Sequence, residues 1–133
     1  MARRKKVQDG RMSDKEYLLL SYIWELEPVY PSVVARRCEE EVAWKKSTSY
    51  TMIKIVREKG FITSEDGKVV SLISKEDYDQ VETDFLIGRN FGGSMKSFLA
   101  AYLAHHELGE KEAKELVRMI RADQKERRGA DAE

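Results

Sequence analysis

One cysteine and two prolines are all that this 133-residue chain contains of either residue. With Cys38 alone, neither a disulfide framework nor a cysteine-rich metal site can be closed within one chain, so a reducing compartment is expected. Pro28 and Pro31 leave little material for long irregular linkers. No apolar run approaches the ~20 residues needed to cross a membrane. The basic start, from Met1 to Lys6, has no apolar segment behind it and does not read as a secretory signal. A soluble, cytoplasmic protein is expected. Net charge is absent too, since 24 basic and 24 acidic residues cancel. No G-x-G-x-x-G, Walker, nucleophile-elbow or H-E-x-x-H pattern occurs, so the chain does not read as an enzyme. His105 and His106 are adjacent, about 100° apart on a helix, and cannot bind one metal jointly as an i, i+4 pair could. No metal and no cofactor is expected.

What is present is periodic. Apolar residues make up 41% and charged ones 36%, a polar balance whose regular spacing argues against disorder outside the ends. Charge is divided along the chain. Residues 1–75 hold 15 Lys/Arg against 11 Asp/Glu, and residues 76–133 hold 9 against 13. A basic first part and an acidic second part fit a nucleic-acid module joined to an assembly module.

Residues 1–10 lack periodicity and read as a basic arm, in which Arg3, Arg4, Lys5 and Lys6 would lie along phosphates or stay solvated. The spacing of Ser13 and Glu16 is that of a capping box opening a first helix. Tyr17, Leu20, Ile23 and Trp24 form its apolar stripe, and Pro28 stops it. Tyr30, Pro31 and Ser32 start a second helix, with proline suited to the first turn. Val34, Cys38 and Val42 share its inner face, which makes Cys38 a buried small hydrophobe rather than a reactive thiol. Trp44 packs under the turn that follows.

The third helix, Ser47 to Lys59 with Gly60 as its C-cap, has two incompatible faces. Ser49, Met52, Ile53 and Val56 fall at core-facing spacing. Ser47, Thr51 and Lys54 fall opposite, with Tyr50 and Arg57 on one edge and Thr48 on the other. Such a face is usually just solvated, but hydroxyls beside a long cation also suit a DNA major groove. Lys45 and Lys46 stand where this helix would meet its ligand. After Gly60, Phe61–Glu65 and Lys68–Ile73 read as strands joined by Asp66-Gly67, a two-residue turn favouring positive φ. Three short helices and a hairpin make the pattern of a winged helix-turn-helix. On that reading Lys45, Lys46, Ser47, Thr48, Tyr50, Thr51 and Lys54 face double-stranded DNA, and Lys68 at the hairpin tip lies along the flanking backbone.

Beyond Glu76 the character changes. Tyr78, Val81 and Phe85 make a linking helix ending near Gly88, and Gly92-Gly93 breaks the chain. Met95, Phe98, Leu99, Tyr102 and Leu103 then form the cleanest helical stripe, Gly109 interrupts, and Ala113, Leu116, Val117 and Ile120 continue it. Two such helices cannot bury their apolar faces alone, and an identical chain is the commonest partner. The expected homodimer interface is therefore Met95, Phe98, Leu99, Tyr102, Leu103, Leu116, Val117 and Ile120. The mainly α organisation is an arm (1–10), a winged-helix domain (11–75), a helical dimerisation domain (76–128) and a tail (129–133), with the charged stretch from Lys125 expected to fray. The rival reading is a dimeric adaptor that uses the winged helix for protein contacts.

In order and spacing these residues resemble the penicillinase-repressor family of bacterial winged-helix regulators, from Met12 to about Arg128. The likeness is carried by Met12-Ser-Asp-Lys-Glu16, Ile23-Trp24, Trp44, Thr48-x-x-Thr51-Met52, Lys59-Gly60-Phe61-Ile62 and Asp66-Gly67-Lys68. Gly93 with its apolar stripe and Glu110-x-Glu112-x-x-Glu115-Leu116 complete it. The resemblance implies a homodimeric repressor on an inverted-repeat operator, with the C-terminal helices wound around those of the partner. Base-contacting positions of the family match Ser47, Thr48 and Thr51. A lysine is frequent at the position of Ser47, and here the charge stands at Lys45 and Lys46. A sensor protease is also an implied partner, since antibiotic-responsive members are released by cleavage of an Asn-Phe bond, but the matching bond here is Ala101-Tyr102. The C-terminal cysteine cluster of copper-responsive members is absent.

Overall fold

The computed structural model describes residues 10–132, so the basic residues Arg3 to Lys6 lie outside it. Among the described residues, six helices and one hairpin follow in order: α1 (Asp14–Leu26), α2 (Pro31–Val42), α3 (Lys46–Glu58), β1 (Ile62–Glu65), β2 (Lys68–Ser71), α4 (Lys75–Phe91), α5 (Met95–Leu103) and α6 (Glu110–Ala132). Three short helices followed by an antiparallel hairpin form a winged helix, and helices alone follow it. The chain divides into two compact units that meet between Leu86 and Ile87, within α4.

The first unit is built as its sequence pattern dictates. Ser13 Oγ accepts from the Glu16 N–H at 3.2 Å, and Glu16 Oε1 accepts from the Ser13 N–H at 2.9 Å, closing the capping box. Leu19, Leu20 and Ile23 of α1 are wholly buried against Val34 and Cys38 of α2, Ile53 and Val56 of α3, and Phe61, Ile62 and Val69 of the wing. Trp24 and Trp44 pack at the margin of this core, and the Trp24 indole donates to the Ile73 carbonyl at 2.9 Å. Asp66 and Gly67 both adopt positive φ (53° and 78°). That is the geometry a two-residue hairpin turn demands. The strands are shorter than the sequence suggests. Phe61 is drawn fully into the core and Leu72 keeps only a single backbone bond back to it.

Gly60 lies one residue past the cap of α3, at φ 89°. There the Phe61 N–H reaches back to the Val56 carbonyl at 3.0 Å, a Schellman closure for which glycine avoids the Cβ penalty. Ala43 ends α2 in the left-handed region (φ 58°) without that advantage. Val29 forms an isolated bridge to Val69, a one-residue third strand on the wing that no local pattern announces.

Tyr78, assigned from sequence to the second part of the chain, is 1% exposed and belongs to the first unit's core, against Phe61 and Tyr17. Its hydroxyl accepts from the Met12 N–H and donates to Glu82 at 2.6 Å. Burial first, then the Glu82 carboxylate, pushes that phenol well above its ordinary pKa, so it stays neutral.

Two expectations for the later helices are corrected. α4 does not end near Gly88 but continues to Phe91. Gly88 sits within the helix with open space where a Cβ would stand, and the stop is made by Gly92 and Gly93 at φ 59° and 81°. From Lys125, where fraying is expected, α6 is still helical. It runs to Ala132, with an Arg127–Asp123 pair at 2.9 Å across one of its last turns. Ser94 caps α5 by accepting from the Ser97 N–H at 3.0 Å.

Candidate nucleic-acid interface

α3 separates its residues as its periodicity requires. Ser49, Ile53 and Val56 are buried and Met52 is half-buried, while Ser47, Tyr50, Thr51, Lys54 and Arg57 are exposed. Thr48 lies between, half-buried at the edge of the outer face. Ser49 is wholly buried on the inner side of α3. Its hydroxyl is buried without a hydrogen bond of normal geometry, and the Cys38 thiol is a polar neighbour. Burial raises the thiol pKa more than Ser49 lowers it. Cys38 is therefore an inert core residue.

The start of α3 runs against local preference. Lys45 and Lys46 stand at its N-terminus, with no acidic residue in the first turn and no side-chain cap. A helix N-terminus is already positive, so cations there cost stability in isolation. An anion placed against them removes that cost and gains from both the lysines and the free backbone N–H groups. Thr51, Lys54 and Ser47 follow on the same exposed side, which joins hydrogen-bonding hydroxyls to a cationic end.

Two polar contacts add to the core packing of this helix. At its C-terminal end the Lys59 ammonium lies 2.9 Å from both carboxylate oxygens of Glu16. The Glu16 side chain is 7% exposed and Lys59 39%, so a buried carboxylate meets a cation that water still reaches. One residue thus caps α1 and anchors α3. At its outer edge the Arg57 guanidinium donates to Ser64 Oγ at 3.4 Å, linking α3 to β1. The Glu16–Lys59 pair escapes local pattern reading because its members are 43 positions apart. Only the capping half of the role of Glu16 is visible in sequence.

On the wing, Lys68 is half-buried and its ammonium lies 5.2 Å from the centroid of the Tyr30 ring. Tyr30, Lys68 and the α3 face all belong to the first unit. Glu27 secures the other end of β2, accepting from the N–H and hydroxyl of Ser71 at 2.7 and 2.9 Å.

In the second unit, Met95, Tyr102, Leu103, Val117 and Ile120 are 41–60% exposed, and Phe98, Leu99 and Leu116 are half-buried. Phe98 meets Phe91 edge to face at 5.4 Å. α5 and α6 make no extended contact with each other among the described residues. The His106 ring stacks on Tyr102 at 4.4 Å, with Nδ1 3.0 Å from the Tyr102 carbonyl oxygen. Among the described residues no cluster of His, Cys, Asp or Glu is arranged to hold a metal. No helix there is long and apolar enough to cross a membrane.

Comparison with known proteins agrees with this architecture. Residues 12–122 match the sequence model of the penicillinase repressor family. The penicillinase repressor of Bacillus licheniformis is 23% identical over 114 residues, covering 83% of this chain and 89% of that protein. The family comprises regulators rather than enzymes. A match beginning at the buried Met12 and ending beyond Ile120 takes in both compact units, and on that ground the chain belongs to the penicillinase-repressor family.

Proposed function

We propose that the protein is a homodimeric, sequence-specific transcriptional repressor that binds an inverted-repeat operator through two copies of α3 and its wing. The observation that carries the proposal is the division of α3. Its apolar side is consumed by the core, while Ser47, Thr51 and Lys54 stay exposed behind a lysine-bearing N-terminus. In this reading Ser47, Thr51 and the edge residue Thr48 meet base edges in the major groove. Lys45, Lys46, Lys54 and Tyr50 meet backbone or base, and Lys68 meets the flanking phosphates. The exposed apolar residues of α5 and α6 support self-association, because a stripe this exposed is normally covered by a partner. The resemblance also implies a sensor protease as a partner, a reading weakened because Ala101-Tyr102 stands at the position of the Asn-Phe bond.

Fluorescence anisotropy on promoter DNA across a salt series tests the reading. Each phosphate neutralised should contribute a slope of about −0.9 in log K against log salt. A dimer making roughly six or more such contacts should lose several orders of magnitude in affinity between low and moderate salt. Absence of binding even at low salt would overturn the proposal and favour a protein-binding adaptor.

A further inference from the structure

The wing carries one cation, and the fold does not leave it loose. Val29 exchanges two backbone hydrogen bonds with Val69, at 3.2 and 2.6 Å. In that antiparallel register the next residues, Tyr30 and Lys68, stand across from each other, where side chains on one face meet. Lys68 Nζ lies 5.2 Å from the Tyr30 ring centroid, inside cation–π range. The same ring lies near the turn, since a Cβ added at Gly67 would stand 3.8 Å from Tyr30 Cε1. Lys68 also has an acidic neighbour in register, Glu65 of β1. Among the described residues, however, it forms no ion pair with Glu65 or with Asp66. Tyr30 itself is 51% exposed at the cap of α2. An aromatic ring half in water contributes little to the core, so its position calls for another explanation.

We infer that Tyr30 is a positioning residue for DNA binding, holding the Lys68 ammonium at the wing tip as a preset contact for a backbone phosphate. The inference rests on the proposed DNA-binding reading. A lysine has a long, flexible stem, and fixing it when it meets a phosphate costs conformational entropy. A ring beneath the ammonium restricts the stem beforehand without neutralising the charge, whereas an ion pair with Glu65 would cancel it. The hydroxyl of Tyr30 is not needed for this role, but the ring is.

The experiment uses the full-length protein and a promoter duplex, with anisotropy read across a salt series. Tyr30→Leu keeps apolar bulk beside Val29 and Gly67 but removes the ring, and Tyr30→Phe keeps the ring. Lys68→Ala should flatten the salt slope by about one unit per half-site. Tyr30→Leu should weaken binding roughly two- to tenfold per half-site, the size of the freedom a long side chain loses when it must be fixed on binding. Tyr30→Phe should restore most of that loss. The double variant Tyr30→Leu with Lys68→Ala should bind no more weakly than Lys68→Ala alone. Losses that multiply in the double variant, or a Phe variant as weak as the Leu variant, would overturn the inference while leaving DNA binding intact. So would a Tyr30→Leu protein with wild-type affinity. A wild-type protein that binds no duplex at low salt would instead overturn the DNA-binding reading, and this inference with it.

Discussion

At the residue scale, neighbours on one helix face are expected to do different work. Thr51 and Lys54 are both exposed on α3. On the proposed reading Thr51 meets a base edge, so Thr51→Ala should relax preference at one operator position, costing roughly 1–3 kcal/mol on the specific site. Lys54→Ala, if the lysine meets phosphate, should weaken all duplexes alike and flatten the salt slope by about one unit per half-site. Competition between operator and random DNA distinguishes the two. Equal losses on both duplexes for Thr51→Ala would mean that this face is turned differently. Ala43 offers a test of stability that leaves the DNA face alone. Its left-handed φ of 58° burdens a residue with a Cβ. Ala43→Gly should therefore raise stability by about 0.5–1 kcal/mol, the relief outweighing the added entropy of the unfolded chain. A urea midpoint that rises at constant slope would show it.

At the scale of elements, the placement of α3 depends on a carboxylate in the first turn of another helix. Glu16 closes the box on Ser13 and binds Lys59. Glutamine can still accept from the Ser13 N–H but cannot pair with a cation. Because Lys59 is 39% exposed and water screens its end, Glu16→Gln should cost only about 0.5–1 kcal/mol. Glu16→Ala also loses the box and should cost about 1 kcal/mol more. Urea unfolding of the two variants separates the contributions, and equal losses would assign the whole effect to the ion pair. The elements were largely legible in advance. The capping box, Pro31 in the first turn, Gly60 past α3 and the Asp66-Gly67 turn are short-range signals with short-range causes. The end of α4 was not. Gly88 looks like a stop, but an exposed glycine inside a helix is only a modest local cost, and the turn preceding it is long enough to continue through. The stripe of Tyr17, Leu20, Ile23 and Trp24 omits Leu19, because α1 is buried over a wider arc than one strict stripe describes.

For the whole molecule, operator binding should depend on association. Phe98 is half-buried by its own chain, partly through Phe91, and Met95 and Tyr102 on the same helix remain exposed. If a second copy completes its burial, Phe98→Ala should cost up to ~3–5 kcal/mol at each of two symmetric sites. One winged helix offers few phosphate contacts. Tight binding should come from holding two at one spacing, where the second engagement is effectively intramolecular. The variant should sediment toward monomer and bind its operator far more weakly, while circular dichroism shows the helices of the first unit retained. A dimeric Phe98→Ala protein with unchanged operator affinity would place the interface elsewhere.

The amino-acid sequence by itself determined the order of helices and hairpin, the inward and outward faces of α3, and the breaks at Gly60, Asp66-Gly67 and Gly92-Gly93. Each follows from periodicity or backbone chemistry within a few residues. The tertiary structure alone decided that Tyr78 joins the first unit's core, that Glu16 reaches Lys59, and that Val29 bridges Val69 so that Tyr30 lies beneath Lys68. Those partners lie far apart along the chain. No local propensity brings them together, and their pairing emerges only when burial of the shared core sets where each helix and strand lies against the next.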